Sequence, residues 1–394
     1  MEFLPRTLLF YILSHAYLYW HVRKLLRSRA ARLALLPLFL VMGFFPYVYH
    51  HLPAGAAQEL FGRAGTFWLP AAFFCLIVFV LADGLSLAAL ACRRLFPAAA
   101  LLFFSRRRYF MLLVVLAACL YGYGVYEAHD LRVTRISLGS RKLPADAPAL
   151  RIVFAADLHI GPQTGAAMLA NAVDAMLAEK PDLILLGGDL LDDAFQGTPG
   201  DMRELGRLDA PLGVFAVLGN HESFGGYRHA VAALARSGIT LLSDEAALAG
   251  PVRSVGPVRI VGLDDPDVTA QKKEVSPKED SRAGSATRDA DVARLLREGP
   301  EGLFTILLDH RPRLRPDAVG LFDVQLSGHT HGGQIILLQS LLESAYGTPT
   351  GYSRHRSEAG ESVLFVTTGT GFSKLPIRLL VPPEIVVIDI RRVD

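Results

Sequence analysis

The chain has 394 residues, 51% of them hydrophobic and 20% charged, with a net charge of +2 and a mean hydropathy of +0.32. That length is too great for one ordinary domain, and the near-neutral balance gives no support to a polyanion-binding protein, so no nucleic-acid partner is expected. The three cysteines, Cys75, Cys92 and Cys119, all precede residue 129, which excludes a disulfide framework or a cysteine-based zinc site from the rest of the chain.

The apolar excess sits in front. Residues 1–128 read as a transmembrane helical region, with apolar runs at roughly 4–22, 33–51, 67–91 and 109–127 that reach the ~20-residue length a bilayer crossing requires. Arg6 and His15 interrupt the first run, which is either a span or a segment near one interface. So many long, charge-poor runs argue against a cleaved signal peptide and against the buried helices of a soluble core. Arg23, Lys24, Arg27, Arg29 and Arg32 lie between the first two runs, and Arg93, Arg94, Arg106, Arg107 and Arg108 between the last two. Arg63 alone lies between the second and third. The positive-inside tendency puts both basic loops in the cytoplasm, which makes the chain an integral inner-membrane protein with its remainder on the extracytoplasmic side. Asp83 falls inside the third run, close to Gly84 and Ser86, and is expected to be paired or near an interface.

Residues 129–149 read as a charged, proline-containing connector, and 150–394 as an ordinary globular mixture. Short continuous apolar runs at 151–156, 182–186 and 214–218 alternate with a helical pattern carrying Met168, Ala172, Val173 and Met176 on one side. Such runs are strands buried on both faces, and their alternation with helices is the mark of an α/β fold. Later strand-like runs at 258–263, 305–308, 324–327, 363–367 and 385–390 have fewer helices between them, which fits two packed sheets flanked by helices. The polar stretch 270–290 is expected to be a surface loop.

The chemistry lies where these strands end. Asp157 and His159 follow the first, Gly188-Asp189 the second and Gly219-Asn220-His221 the third, while Asp309-His310 and His329-Thr330-His331 close two later ones. In open α/β sheets that edge is where sites are built. Residues two apart in an extended segment point to the same side, which pairs Asp157 with His159 and His329 with His331. Two carboxylates, several imidazoles and an amide oxygen form a mixed N/O set suited to divalent Mn, Fe or Zn. A single strand-end histidine is more often structural, but five such ends with glycine punctuation are not accidental.

These residues, together with Glu222, Gly328, Gln334 and the tail Gly369-Thr370-Gly371-Phe372-Ser373-Lys374-Leu375-Pro376-Ile377-Arg378, resemble the motifs of the calcineurin-like metallophosphoesterases, in particular their membrane-associated bacterial branch. The resemblance covers 150–394. It implies an α/β fold, a four-layer α/β/β/α sandwich, behind the N-terminal membrane region. It also implies two divalent metal ions: Asp157, His159 and His331 on the first, Asn220, His310 and His329 on the second, and Asp189 bridging them. His221 would then be the catalytic histidine outside the coordination sphere, with Glu222 beside it. Asp192, Asp193 and Asp309 are expected either to orient imidazoles or to be turn carboxylates, and Arg311, Arg354, His355 and Arg378 either to bind phosphate or to be ordinary surface charges. The implied activity is hydrolysis of phosphate esters by a hydroxide activated between two metals, with membrane-presented, lipid-linked esters as one substrate class. Alternatives are a nucleotide-type phosphodiesterase or pyrophosphatase, and an inactive membrane sensor that keeps the fold.

Overall fold

A computed structural model describes residues 3–24, 26–45, 48, 52, 56–91, 106–144, 147–161, 163–192, 197–251, 256–275, 289–373 and 375–393. The chain divides into two compact units, Met1–Val125 and Tyr126–Asp394.

The first unit is helical: α1 (Phe3–Val22), α2 (Arg29–Gly43), α3 (Ala56–Ala91) and most of α4 (Arg106–Ala128). Ser28 caps α2 by accepting a hydrogen bond from the Ala31 amide. Two segments, Phe67–Ala88 in α3 and Met111–Ala128 in α4, are long and apolar enough to cross a membrane. The helix α2 has 15 residues, short of a crossing, and carries Pro37. The apolar run expected at 33–51 continues into residues 46, 47 and 49–51, which lie outside the described residues, as do Arg93 and Arg94. Asp83 is paired: the Tyr17 hydroxyl donates to it at 2.8 Å and His21 Nε2 lies at 3.1 Å, so a carboxylate in an apolar helix is met by two polar groups of α1.

In the second unit, the stretch expected to be a connector holds a strand. β1 (Arg132–Ser140) pairs in parallel with β12 (Glu384–Arg392). Its arginines hid the pattern, because its partner lies some 250 residues away and only that pairing satisfies its backbone. β2 (Leu150–Ala155), β3 (Leu183–Gly187), β4 (Val214–Val217) and β5 (Thr240–Leu241) complete a six-stranded sheet of order β1-β12-β2-β3-β4-β5. A second sheet has the order β10-β11-β9-β8-β7-β6, from β6 (Glu245–Ala249), β7 (Val258–Gly262), β8 (Phe304–Leu308), β9 (Val324–Ser327), β10 (Gly351–Ser357) and β11 (Gly360–Val366).

Alternation along the strands builds the layers. Ile152 and Phe154 of β2 and Leu183 and Leu185 of β3 enter one core with Ile306, Leu308, Leu326 and Phe365 of the other sheet. The intervening Val153, Ala155, Ile184 and Leu186 pack on the other face, against α5 (Gly165–Ala178), α6 (Pro199–Leu205) and α8 (Tyr227–Leu234). On the outer face of the second sheet, Val261 and Leu307 meet Val292 and Leu296 of α10 (Asp289–Arg297). The result is the expected α/β/β/α sandwich, in which each buried aliphatic side chain contributes about 1.5–3 kcal/mol. The expected surface loop at 270–290 begins as helix instead, since α9 (Pro266–Val275) includes its first residues and α10 its last two. Residues 276–288 lie outside the described residues.

Candidate metal centre

The carboxyl ends of β2, β3, β4, β8 and β9 meet at one edge of the sandwich, and each delivers part of the site. Asp157 and His159 follow β2, and Asp189 follows β3. Asn220 and His221 open the short helix α7 (Asn220–Phe224) after β4. His310 follows β8, and His329 and His331 follow β9. All but His329 are buried. Five of these residues, Asp157, His159, Asp189, His329 and His331, hold φ between 46° and 69°. Left-handed backbone at non-glycine residues costs free energy and clusters at functional sites. Close approach also dictates two glycines: a Cβ at Gly219 would fall 2.1 Å from Asp189 Oδ1, and one at Gly328 would fall 2.6 Å from Asp157 Oδ2.

The side chains converge as three overlapping groups: Asp157, His159 and His331; His159, Asp189 and His221; and Asp189, His310 and His329. His159 Nε2 lies 3.0 Å from His331 Nε2, and His310 Nε2 lies 3.2 Å from His329 Nδ1. Imidazole lone pairs brought this close repel unless a proton or a cation sits between them. Asp189 Oδ2 stands 3.2 Å from His310 Nε2 and 3.9 Å from His159 Nε2, between the two histidine pairs. Its Oδ1 accepts the His221 amide at 2.9 Å. Asp157 accepts the His329 amide at 3.0 Å, which ties the loop after β9 to the loop after β2. The Asn220 side-chain oxygen is buried with no hydrogen-bond partner, an orphaned acceptor that a cation would satisfy. The donor set therefore fits divalent ions.

Protein groups around the cluster fix the imidazoles. His310 Nδ1 faces the Gly187 carbonyl at 2.8 Å, which leaves Nε2 for the cluster. Asp192 Oδ1 lies 3.4 Å from His159 Nδ1 and 3.3 Å from His221 Nδ1. Burial pushes the Asp192 carboxyl up, but the two imidazoles outweigh it and hold it well below the usual carboxylate range. Burial likewise opposes a charge on His310, yet Asp189 and Asp157 raise it to about 10, whereas burial and neighbouring His310 press His329 down to about 3. Charge on one of two adjacent imidazoles disfavours charge on the other.

Three roles were not legible in the sequence. Tyr346 of α11 (Ile336–Tyr346) places its hydroxyl 2.5 Å from His329 Nε2. Glu222, expected only beside His221, accepts the backbone amides of Gly219 at 2.7 Å, Leu191 at 2.8 Å and Asp189 at 3.1 Å. It thereby joins the loops after β3 and β4. Arg378 is fully buried and donates to the carbonyls of Gly371, Val381 and Gly369, with Nη2 3.4 Å from His331 Nδ1. It is therefore no surface charge: caged by these carbonyls, it braces the loop beside Asp157.

The other residues expected either to bind phosphate or to be surface charges are also engaged. Arg311 pairs with Asp265 and Asp267 at 2.6 Å, exposed Arg354 bonds Tyr352 at 2.9 Å, and His355 bonds the Ser353 hydroxyl at 2.9 Å. Asp309 pairs with Arg315, and Asp193 lies outside the described residues. A cleft of about 280 Å³ opens onto Asp189, Asn220, His221, His329 and His331, with Gln334, Leu342 and Ser373 at its wall.

Residues 150–333 match the family model described as calcineurin-like phosphoesterase. The chain is 30% identical over 277 residues to a metallophosphoesterase of Aquifex aeolicus, a match that covers 70% of this chain and 98% of that protein. It is 29% identical over 279 residues to a metallophosphoesterase of Bacillus subtilis, covering 69% of this chain and 90% of that one. A transmembrane protein with metallophosphoesterase domain from Danio rerio is 28% identical over 287 residues, which are 68% of this chain and 60% of that protein.

Proposed function

The chain belongs to the calcineurin-like phosphoesterase family, metal-binding hydrolases of phosphoric esters, and from that premise we propose a membrane-anchored enzyme that uses two divalent ions on lipid-linked phosphate esters. The observation that carries the two-ion reading is Asp189 Oδ2 standing between His310 and His159, each imidazole belonging to a separate group of potential ligands. Asp157, His159 and His331 would hold one ion, Asn220, His310 and His329 the other, and Asp189 both. Mn, Fe or Zn suits this mixture of nitrogen and oxygen donors. When bound, two such ions would supply an activated water at neutral pH and neutralise charge on the phosphoryl oxygens.

The chain's own residues do the rest. His221 turns Nδ1 toward Asp192, which fixes the ring and makes Nε2 the atom that gives a proton to the leaving oxygen. Asp192 stabilises the charged form of that ring and, through His159 Nδ1, orients a ligand as well. Glu222 holds the backbone of Asp189 and Gly219 so that the bridging carboxylate and Asn220 keep their places.

The membrane part of the proposal rests on the two helices long and apolar enough to cross a bilayer, and on a relative named as a transmembrane protein. The basic loops favour an inner-membrane protein with the hydrolase unit outside the cytoplasm. The test is hydrolysis by the purified full chain supplied with Mn²⁺, across phosphomonoesters, diesters, nucleotide sugars, phospholipids and lipid pyrophosphates. Metal-dependent turnover fastest on a lipid-linked ester is expected. Turnover confined to soluble nucleotides would overturn the lipid assignment, and no turnover with both ions bound would overturn the enzyme.

A further inference from the structure

The helix α11, one wall of the cleft, is amphipathic in the wrong sense for a helix facing water. Two of its polar side chains turn inward, while Ser340 and Ser344 are exposed: Gln339 bonds Glu343 at 2.8 Å, and Glu343 accepts the Thr350 amide at 3.0 Å. Leu342 and Tyr346 share that inner side, on the cleft and on His329 respectively. Outward go Leu337, 62% exposed, Leu341, 67% exposed, and the more shielded Leu338, while the helix has no buried residue. A surface helix ordinarily does the reverse, and an apolar face turned to solvent beside a site marks a contact surface.

A second observation extends the face. Leu380 is 61% exposed and held at φ 58°, a conformation unfavourable for leucine, so the fold displays this side chain at a cost. It adjoins the start of α11, since Leu379 accepts the Ile336 amide and donates to the Gln334 carbonyl. The Leu380 amide in turn donates to the carboxylate of buried Glu127. Glu127 belongs to the last turn of α4, whose segment Met111–Ala128 is long and apolar enough to cross a membrane. The apolar face is thus continuous with the point where the chain enters the hydrolase unit from that helix. Of possible occupants, the one brought to this place by the chain itself is a bilayer.

We propose that Leu337, Leu338, Leu341 and Leu380 form a bilayer-contact surface that sets the mouth of the metal cleft at the level of lipid headgroups. An interfacial helix of this kind buries its apolar face ~5–10 Å into the headgroup and acyl boundary. The cleft then opens where phosphate esters of membrane lipids lie, which selects them by position. This rests on the membrane-anchored reading above and adds the residues that make the contact.

The test places a single cysteine at position 341, in the full chain with Cys75, Cys92 and Cys119 changed to alanine, and labels it with an environment-sensitive fluorophore. The protein is reconstituted into phosphatidylcholine–phosphatidylglycerol vesicles with and without nitroxide-bearing lipid. Reference labels go at Leu116 in α4 and at exposed Glu358 on the β10–β11 turn. A blue-shifted label at 341 that lipid nitroxide quenches to a degree comparable with 116, against none at 358, is the expected result. A second label at 337 covers the case that 341 disturbs folding. Quenching at 116 with none at 337 or 341 overturns the contact surface while the anchor stands, whereas no quenching at 116 removes the anchor as well. A blue shift at 341 without lipid quenching, accompanied by a concentration-dependent mass, would mean that a second copy covers the face and would also overturn the proposal.

Discussion

Asp192→Asn separates positioning from ligation. The carboxylate serves two imidazoles at once, 3.3 Å from His221 Nδ1 and 3.4 Å from His159 Nδ1. At an effective dielectric of about 20, unit charges at that separation attract by about 5 kcal/mol, which is an upper figure for the His221 pair. The Asp192 side chain is 23% exposed and both contacts are long, so desolvation and screening offset most of it. The difference between a charged and a neutral hydrogen-bond acceptor, about 1–1.5 kcal/mol per contact, is the better guide. Asparagine keeps the shape and removes the charge. One such increment at His159 should weaken metal binding about tenfold, and one at His221 should lower kcat about tenfold, within the range seen when outer partners of ligating histidines are changed. Metal affinity is read by titration with a competing chelator, and kcat is read at saturating metal with a poor and a good leaving group. The kcat loss should be larger for the poor one, because only that leaving oxygen needs a proton. Unchanged affinity and unchanged kcat would refute the reasoning, and an equal loss for both leaving groups would refute the link from Asp192 to His221.

The other expectations are as direct. His221→Ala should keep both ions and lose about 10²–10⁴-fold in rate with alkyl esters, and much less with nitrophenyl esters, as metal analysis and kinetics on the same preparation will show. Arg378→Met should lower the thermal midpoint of the hydrolase unit, because it orphans the Gly371 and Val381 carbonyls at about 1–3 kcal/mol each; KM for a small monoester should stay the same, and a raised KM with an unchanged midpoint would restore a phosphate role. A C-terminal alkaline phosphatase fusion should be active and a fluorescent-protein fusion dark if the hydrolase unit is extracytoplasmic. The reverse pattern would move it to the other face and leave the metal chemistry standing.

What the sequence disclosed follows from what is local. Asp157 and His159, Asp189, and Asn220 with His221 each stand directly after a short apolar run, so the strand that buries them also announces them. The same holds for His310 and for His329 with His331. Non-local roles stayed hidden. Tyr346 lies on a helix that looks like any leucine-rich helix until the fold sets its hydroxyl on His329. Arg378 and Arg311 read in sequence either as phosphate ligands or as surface charges, because only packing shows one caged by carbonyls and the other paired with Asp265 and Asp267. β1 was concealed for the same reason, its arginines being tolerated because it lies at the edge of the sheet and pairs only with β12. Glu222 was legible as a neighbour of His221, but its three backbone donors, two of them from the loop after β3, are a property of the folded chain.

The central claim is a two-ion site joined by Asp189, and the most direct measurement is the metal content of the purified full chain beside that of Asp189→Asn, with turnover read on the same samples. The account predicts two divalent ions per active wild-type chain. The variant should lose occupancy at both positions and lose its activity, because one carboxylate stands between His310 and His159. An Asp189→Asn chain that keeps two ions and turns over normally would contradict it.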